Sequence, residues 1–346
     1  MIKIVKSCNA LLRSALGIIC FSWLSCGCRA PALSEQQAFE IRQRSLAELK
    51  LSAATANDPQ LRVRALRGLE AGGDVNSDSW TRLALYDPAA VVRLEAMMLL
   101  RNREAEVSID FWKRLLDDDD ELVRAGALLC LIEMERSEYD QFLERLYDTV
   151  VKLRRRPAAI PLLRALNERA TDDELRHWLS IADEPDRALR FAARASLVVR
   201  GDPKITRELI LQAQSAGARD QELAIEILSL SADPNVLYIL SDRLKNGESL
   251  RGRLEAARGL GRFGSDAGWP LAKECLGFEP LLGDEAGLTY AAEIRASACE
   301  ACAEFPTLEV LLAVSERVAA DDDPGVRTAC AAAVLRILAR RKEAPR

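Results

Sequence analysis

A chain of 346 residues that is 49% hydrophobic and 29% charged has the composition of a soluble globular protein, long enough for two domains or one extended array. Aromatics make up 5% and Ala and Leu dominate, which favours helices over sheet. The formal net charge of −5 makes the body a poor ligand for polyanions such as nucleic acid, whose affinity for proteins comes mainly from neutralised phosphates. The basic clusters at Leu153 to Arg156 and Ala339 to Lys342 read instead as solvated helix ends beside a negative C-terminal dipole.

The N-terminus is a separate object. MIKIVKSCNALLR carries Lys3, Lys6 and Arg13 and no acid, and SALGIICFSWLSCGC after it is apolar and small. A basic stretch followed by roughly ten apolar residues is a secretory signal, too short for a spanning helix. It ends in LSCGC, which resembles the lipobox of bacterial lipoproteins, where a small residue directly precedes a Cys that becomes acylated (a palmitate-type anchor). Two registers fit, Cys26 after Trp23-Leu24-Ser25 and Cys28 after Ser25-Cys26-Gly27, while Ala30-Pro31-Ala32 offers an ordinary cleavage site instead. An uncleaved anchor is the third outcome, and all three place the body outside the cytoplasm. The resemblance implies a signal peptide over 1–28, a short tether over 29–34, and a lipoprotein held on a cell-envelope membrane, at the outer membrane or the periplasmic face. Removing residues 1–25 takes Lys+Arg from 48 to 45 against 53 Asp+Glu, so the remaining net charge is −8.

From Ser34 the chain repeats itself. SEQQ is a Ser-x-x-Gln capping box that opens the first helix. A motif then recurs: an apolar residue, Arg, two residues and a small residue, after an acidic or Pro-containing turn. DPQLRVRALRGL sets Arg62 before Ala65, DPAAVVRLEAMMLL sets Arg93 before Ala96, and DDDDELVRAGALLCL sets Arg124 before Ala127. Arg156, Arg190, Glu222, Arg253, Arg295 and Arg327 follow, so the nine anchors lie 31, 31, 32, 34, 32, 31, 42 and 32 residues apart. A second ladder (Trp80, Trp112, Leu143, Trp178, Leu209, Leu240) runs twelve or thirteen residues ahead of the anchors. Each repeat therefore holds two short helices joined by a turn in which Asp caps the exposed amides and Pro takes the first helical position. The Asp117 to Asp120 run is such a turn; a calcium loop would need spaced ligands and a Gly. An Arg at eight of nine anchors argues for architecture, reaching a turn carboxylate of its own or a neighbouring repeat.

The pattern D-P-x-V-R-x-x-A with a Leu-Gly-type helix end, as in RLEAARGLGRFG, resembles HEAT repeats, specifically the short bacterial type also named after phycobilisome lyases. The resemblance covers roughly residues 35–341, with 342–346 as a tail. It implies an all-α fold, an α-solenoid of about nine HEAT-like helical hairpins, and leaves function open, since such proteins range from scaffolds to a few enzymes.

Few residues suggest chemistry. His177 is the only histidine, which excludes the multi-histidine iron site of the HEAT-repeat hydroxylases and any Ser-His or Cys-His pair. Cys299 and Cys302 form a CxxC that reads as buried small hydrophobes or as a disulfide, with Cys130 and Cys330 at core-like positions. GLGRFGSDAG is a helix end with its caps, not a phosphate loop. The 42-residue interval holds an insertion of about ten residues, around 276–292, and insertions in solenoids map to loops on one face. There Phe278, Leu281 and Tyr290 either contact a partner or cover the core.

At 100° per residue, positions two, five and nine after an anchor share the face opposite to it. That face shows Arg64, Arg67, Glu95, Met98 and Asn102 in the first two repeats and Glu255, Arg258 and Arg262 in the seventh. Between them it is small and apolar: Gly126, Leu129, Ala158, Pro161, Ala165, Ala192, Ala195, Val199, Ala224 and Ile227. Either tight packing buries a wide arc of each second helix, or a groove receives a peptide or helix at Leu129, Pro161, Ala195 and Ile227.

The sequence thus leads to a non-catalytic protein-interaction scaffold of the bacterial cell envelope, with an unidentified protein partner and a lipid anchor. No catalytic residue, metal or cofactor, no nucleic acid and no small-molecule substrate is inferred. The alternative is a HEAT-like enzyme related to bilin lyases or hydroxylases, and nucleic-acid binding stands behind both. Replacing Cys26 and Cys28 together is expected to move the protein from the membrane to the soluble fraction. Unchanged detergent partitioning of the double variant refutes the anchor.

Overall fold

The computed structural model describes residues 33–74, 76–101, 107–134, 146, 149, 160–181, 187–215, 217–280 and 284–343. Cys26, Cys28, Arg156, Leu143, Leu281 and the side chain of Pro161 lie outside the described residues. There are two compact units, Met1–Ala38 and Phe39–Arg346. In the first, the Ser34 hydroxyl accepts from the Gln37 amide at 3.1 Å while the Gln37 side chain accepts from the Ser34 N–H at 3.1 Å, the reciprocal box read from SEQQ.

The second unit is a succession of helical pairs, with no strand among the described residues. The first four elements are α1 (Glu35–Thr55), α2 (Pro59–Ala71), α3 (Ser77–Ala84) and α4 (Ala90–Arg101). They are followed by α5 (Ile109–Leu115), α6 (Glu121–Met134), α7 (Ile160–Arg169), α8 (Asp172–Ile181) and α9 (Arg187–Val199). The rest are α10 (Pro203–Ser215), α11 (Ala218–Leu228), α12 (Leu237–Asn246), α13 (Leu250–Arg262), α14 (Trp269–Leu276), α15 (Glu285–Cys302), α16 (Leu308–Ala320) and α17 (Pro324–Glu343). The turns are those the sequence announces. Asp58 caps the Gln60 amide ahead of Pro59, and Ser249 and Thr307 cap α13 and α16 in the same way. Gly264 ends α13 at φ 78°, a left-handed conformation that costs glycine nothing.

The anchor arginines join successive pairs. Arg62 forks onto Asp87 with both bonds at 2.8 Å, and Arg93 forks onto Asp118 at 2.9 and 2.7 Å. Arg295 does the same to Asp321 at 2.8 and 3.1 Å. In each case the carboxylate belongs to the turn of the next pair and also accepts a backbone amide of that turn, from Ala89, Asp120 and Asp323 respectively. The third guanidinium nitrogen donates to a carbonyl of the arginine's own turn, as Arg93 does to Asp87 and Arg124 to Asp118. Where Glu222 replaces the arginine the polarity reverses, and the Ser249 hydroxyl of the next turn donates to it. Asp117 to Asp120 is therefore a turn in which Asp118 receives Arg93 and Asp120 caps the Leu122 amide.

Within this unit the array closes on itself. Each second helix packs on the next in the order α2, α4, α6, α7, α9, α11, α13, α15, α17, and α17 then packs extensively on α2. Arg327, the last anchor, donates to Glu48 of α1 at 3.1 Å, and the Ser52 and Thr328 hydroxyls share a buried hydrogen bond of 2.7 Å. Small residues permit the approach. A Cβ at Gly68 would stand 3.1 Å from the Ala332 Cβ and 3.0 Å from Leu49, tighter than ordinary contact. The solenoid of stacked pairs stands as expected, and its curvature completes a full turn.

Two expectations change. Cys299 is joined to Cys330, one repeat away, with Cα atoms 4.9 Å apart, and Cys302 is buried and free. Equivalent turns of α15 and α17 face each other, so the CxxC spacing is incidental to the bond. Among the described residues of the insertion around 276–292, residues 277–280 are irregular, as expected of a loop, but 285–292 are the first turns of α15. Asp284 caps the Gly287 amide at 2.8 Å, and Arg295 lies ten residues past the start of α15, against three for Arg253 in α13.

Burial raises the carboxyl pKa of Asp118, but the Arg93 and Asp120 hydrogen bonds outweigh it and hold the group below its ordinary value. Arg93→Ala is expected to destabilise by about 1–3 kcal/mol, since it leaves a half-buried carboxylate and two carbonyls short of donors. A carboxyl with a depressed folded pKa contributes stability that is complete above its unfolded value and is lost as pH falls through the folded one. The deficit of the variant, measured by denaturant titration, should therefore be present at neutral pH and shrink towards acid. A pH-independent deficit would contradict the ion pair.

Candidate binding site on the ring axis

Closure aims the inner faces of the second helices at a common axis. Arg64 and Arg67 of α2, Arg258 of α13, Glu300 of α15 and Arg336 of α17, all two, five or nine residues past an anchor, line one cavity of about 310 Å3. Arg164 of α7 joins them, three inner helices away from α2 in one direction and from α13 in the other. Ala329 and Ala332 of α17, at the same repeat positions, leave the space open.

Positive charge is in excess there. Arg67 alone is fully paired, its fork meeting Glu95 with both bonds at 2.6 Å. Arg64 stands 3.5 Å from Glu300, and Arg258 stands 3.8 Å from Glu300 and 3.7 Å from Glu255, contacts looser than good hydrogen bonds. The Arg258 Nε is buried with no hydrogen-bond partner among the described residues. Arg164 lies over the Phe191 ring at 5.7 Å, and neither it nor Arg336 has an ion pair among the described residues. Burial, then the nearby Arg67, pulls the Arg164 pKa down; burial, then Arg258, does so for Arg336. Burial likewise pushes Glu226 and Glu255 up. Guanidinium groups offer N–H donors and no acceptor, so the lining presents donors of the kind that suit anions.

The sequence had placed Arg64, Arg67, Arg258 and Arg262 on this face but not Arg164, Glu300 or Arg336. The same spacing in the last two repeats would have found Glu300, five past Arg295, and Arg336, nine past Arg327. Most of the described apolar stretch of that face is core, although Val199 at the end of α9 is 61% exposed. Leu129 and Ile227 are each 0% exposed and Ala195 is buried, because α7 packs on α4 as well as on α6 and α9 and fills that side of the ring. As partner contacts these three residues are thus withdrawn in favour of core packing.

The insertion provides the remaining candidates. Phe278 and Tyr290 meet edge to face with ring centroids 6.0 Å apart. Most of the side chains from Glu285 to Tyr290 are exposed before Ala291 and Ile294 turn inward, and Leu288 and Tyr290 are 54% and 46% exposed. His177 is also exposed, and Trp178 beside it packs on the core.

No family model and no curated protein matches the chain. Among solved structures it is similar to human deoxyhypusine hydroxylase in complex with glycerol, at 17% identity and a TM-score of 0.34, over 87% of this chain and 98% of that one.

Leu129→Asp and Ile227→Asp place a carboxylate in packed apolar surroundings. Each is expected to lower stability by more than about 3 kcal/mol. Denaturant midpoints close to that of the parent would return these residues to a surface.

Proposed function

We propose that the chain is a non-catalytic interaction scaffold, built of HEAT-like pairs and held on a membrane of the bacterial cell envelope, that docks a protein partner on the projecting start of α15. The observation that carries the reading is the exposed apolar pair Leu288 and Tyr290, on a helix extended well beyond its anchor Arg295. A Tyr braced by Phe278 presents a large, pre-ordered contact at low entropic cost, as partner-binding aromatics do. The stacked pairs, cross-linked by anchor arginines, supply a rigid platform behind it.

Membrane attachment in this reading rests on the acylated Cys of LSCGC. If Cys28 carries the lipid, only five residues separate it from Ser34, which keeps the platform near the bilayer. No helix among the described residues is long and apolar enough to cross a membrane.

A photo-crosslinking residue at Leu288 is expected to yield a discrete protein adduct in cells, lost on Tyr290→Ala. The same probe at Tyr86, an exposed aromatic on another part of the unit, should not yield it. Tyr290→Ala should change stability by no more than about 1 kcal/mol. Identical adducts from both positions, or none from Leu288, would refute the docking role.

A further inference from the structure

We propose that the axial cavity is a binding site for a compact organic polyanion, a molecule carrying two or three phosphate or carboxylate groups. This goes beyond the docking role of α15 and uses none of its residues. Around the five lining arginines stand Arg251, Arg262 and Arg340, and the carboxylates facing the group are Glu95, Glu226, Glu255, Glu300 and Glu304. Eight arginines against five glutamates leave an excess of three positive charges even with every acid ionised. Arginine does not shed its proton at ordinary pH, so the excess persists. An anion with two or three charges would remove it.

Geometry and size favour a small molecule over an acidic peptide. The guanidinium groups of Arg164 and Arg336, without an ion pair among the described residues, come from different helices, together with the loosely held Arg64 and Arg258, so donors converge from α2, α7, α13 and α17. Planar forks of this kind pair bidentately with carboxylate or phosphate oxygens. A volume of about 310 Å3 lies at the lower end of the range for small-molecule sites. That volume suits a compact molecule better than an extended peptide. The net negative charge of the whole chain conceals this local concentration of the opposite sign.

Arg164 and Arg336 have no ion-pair partner among the described residues, so their positive charges, repelled by neighbouring arginines, do not help the fold when the cavity is empty. Loss of one should therefore weaken anion binding without lowering stability, a combination that an architectural arginine cannot give. The test is calorimetric titration and thermal melting of the chain lacking residues 1–28 as far as the signal segment requires, or of the full chain in detergent. The probes are pyrophosphate, citrate, inorganic phosphate and a glutamate oligomer, at matched ionic strength. The expected result is that pyrophosphate or citrate raises the melting temperature and binds at least tenfold more tightly than inorganic phosphate. The better of the two identifies the group as phosphate or carboxylate. Arg164→Gln and Arg336→Gln should each reduce that affinity at least tenfold and melt no lower than the parent, while Arg82→Gln on α3 binds as the parent does. Absence of binding by both polyanions overturns the proposal, as does undiminished binding by the two variants. Variants that melt substantially lower would make the arginines architectural, and binding of the glutamate oligomer alone would assign the cavity to an acidic protein segment. None of these results bears on the adduct formed at Leu288.

Discussion

The interaction on which everything else rests is the fork from an anchor arginine to the turn carboxylate of the following pair. Arg62 to Asp87, Arg93 to Asp118 and Arg295 to Asp321 share one geometry, and each aspartate simultaneously holds an amide of its own turn. The turn is thereby shaped by the pair before it. A hydrophobic contact between helices would allow sliding; a bidentate, half-buried ion pair does not, because misplacement strands both charges. Three of the described steps are held in this one way, and the second helices curve far enough for the last pair to meet the first.

Closure then changes what the inner face means. Along an open solenoid, the charged residues of the early repeats and those of the late repeats would lie at opposite ends. In the ring, α17 packs on α2 and the two sets become neighbours: Arg64 approaches Glu300, and Arg67 and Arg258 both bear on Arg164. The seam itself is neutral and small, with Gly68, Ala332 and the Ser52–Thr328 hydrogen bond, so that helix backbones can approach. The charged positions lie inward of that seam, where like charges face one another across a gap.

The ring therefore has two unlike halves. Where the inner positions are Leu129, Ala192, Ala224 and Ile227, the helices collapse together, and α7 reaches α4. Where they are long and charged, collapse would desolvate guanidinium groups without partners, and a cavity remains. One half is packed core, and the other keeps loosely paired charges around a cavity. Sites for ligands are commonly built in this way, the binding groups being held apart by structure that has no need of them.

Sequence alone determined the repeat, because a period of 31 to 34 residues at seven of eight intervals, the acidic or Pro-containing turns and the capping residues act locally and leave their mark in most copies. It determined the two helices of each pair, the structural role of the anchor arginines, and the face on which Arg64, Arg67, Arg258 and Arg262 lie. It did not determine which side chains meet across the ring. Whether Leu129 and Ile227 line a groove or a core depends on the summed rotation of nine steps, and a few degrees per step separate an open superhelix from a closed ring. Cys299 joins Cys330 and not Cys302 because equivalent turns of two adjacent second helices face each other, a contact between neighbouring repeats and not within one. Contacts within a repeat follow from spacing; contacts between distant repeats follow from accumulated geometry, and only the tertiary structure holds that.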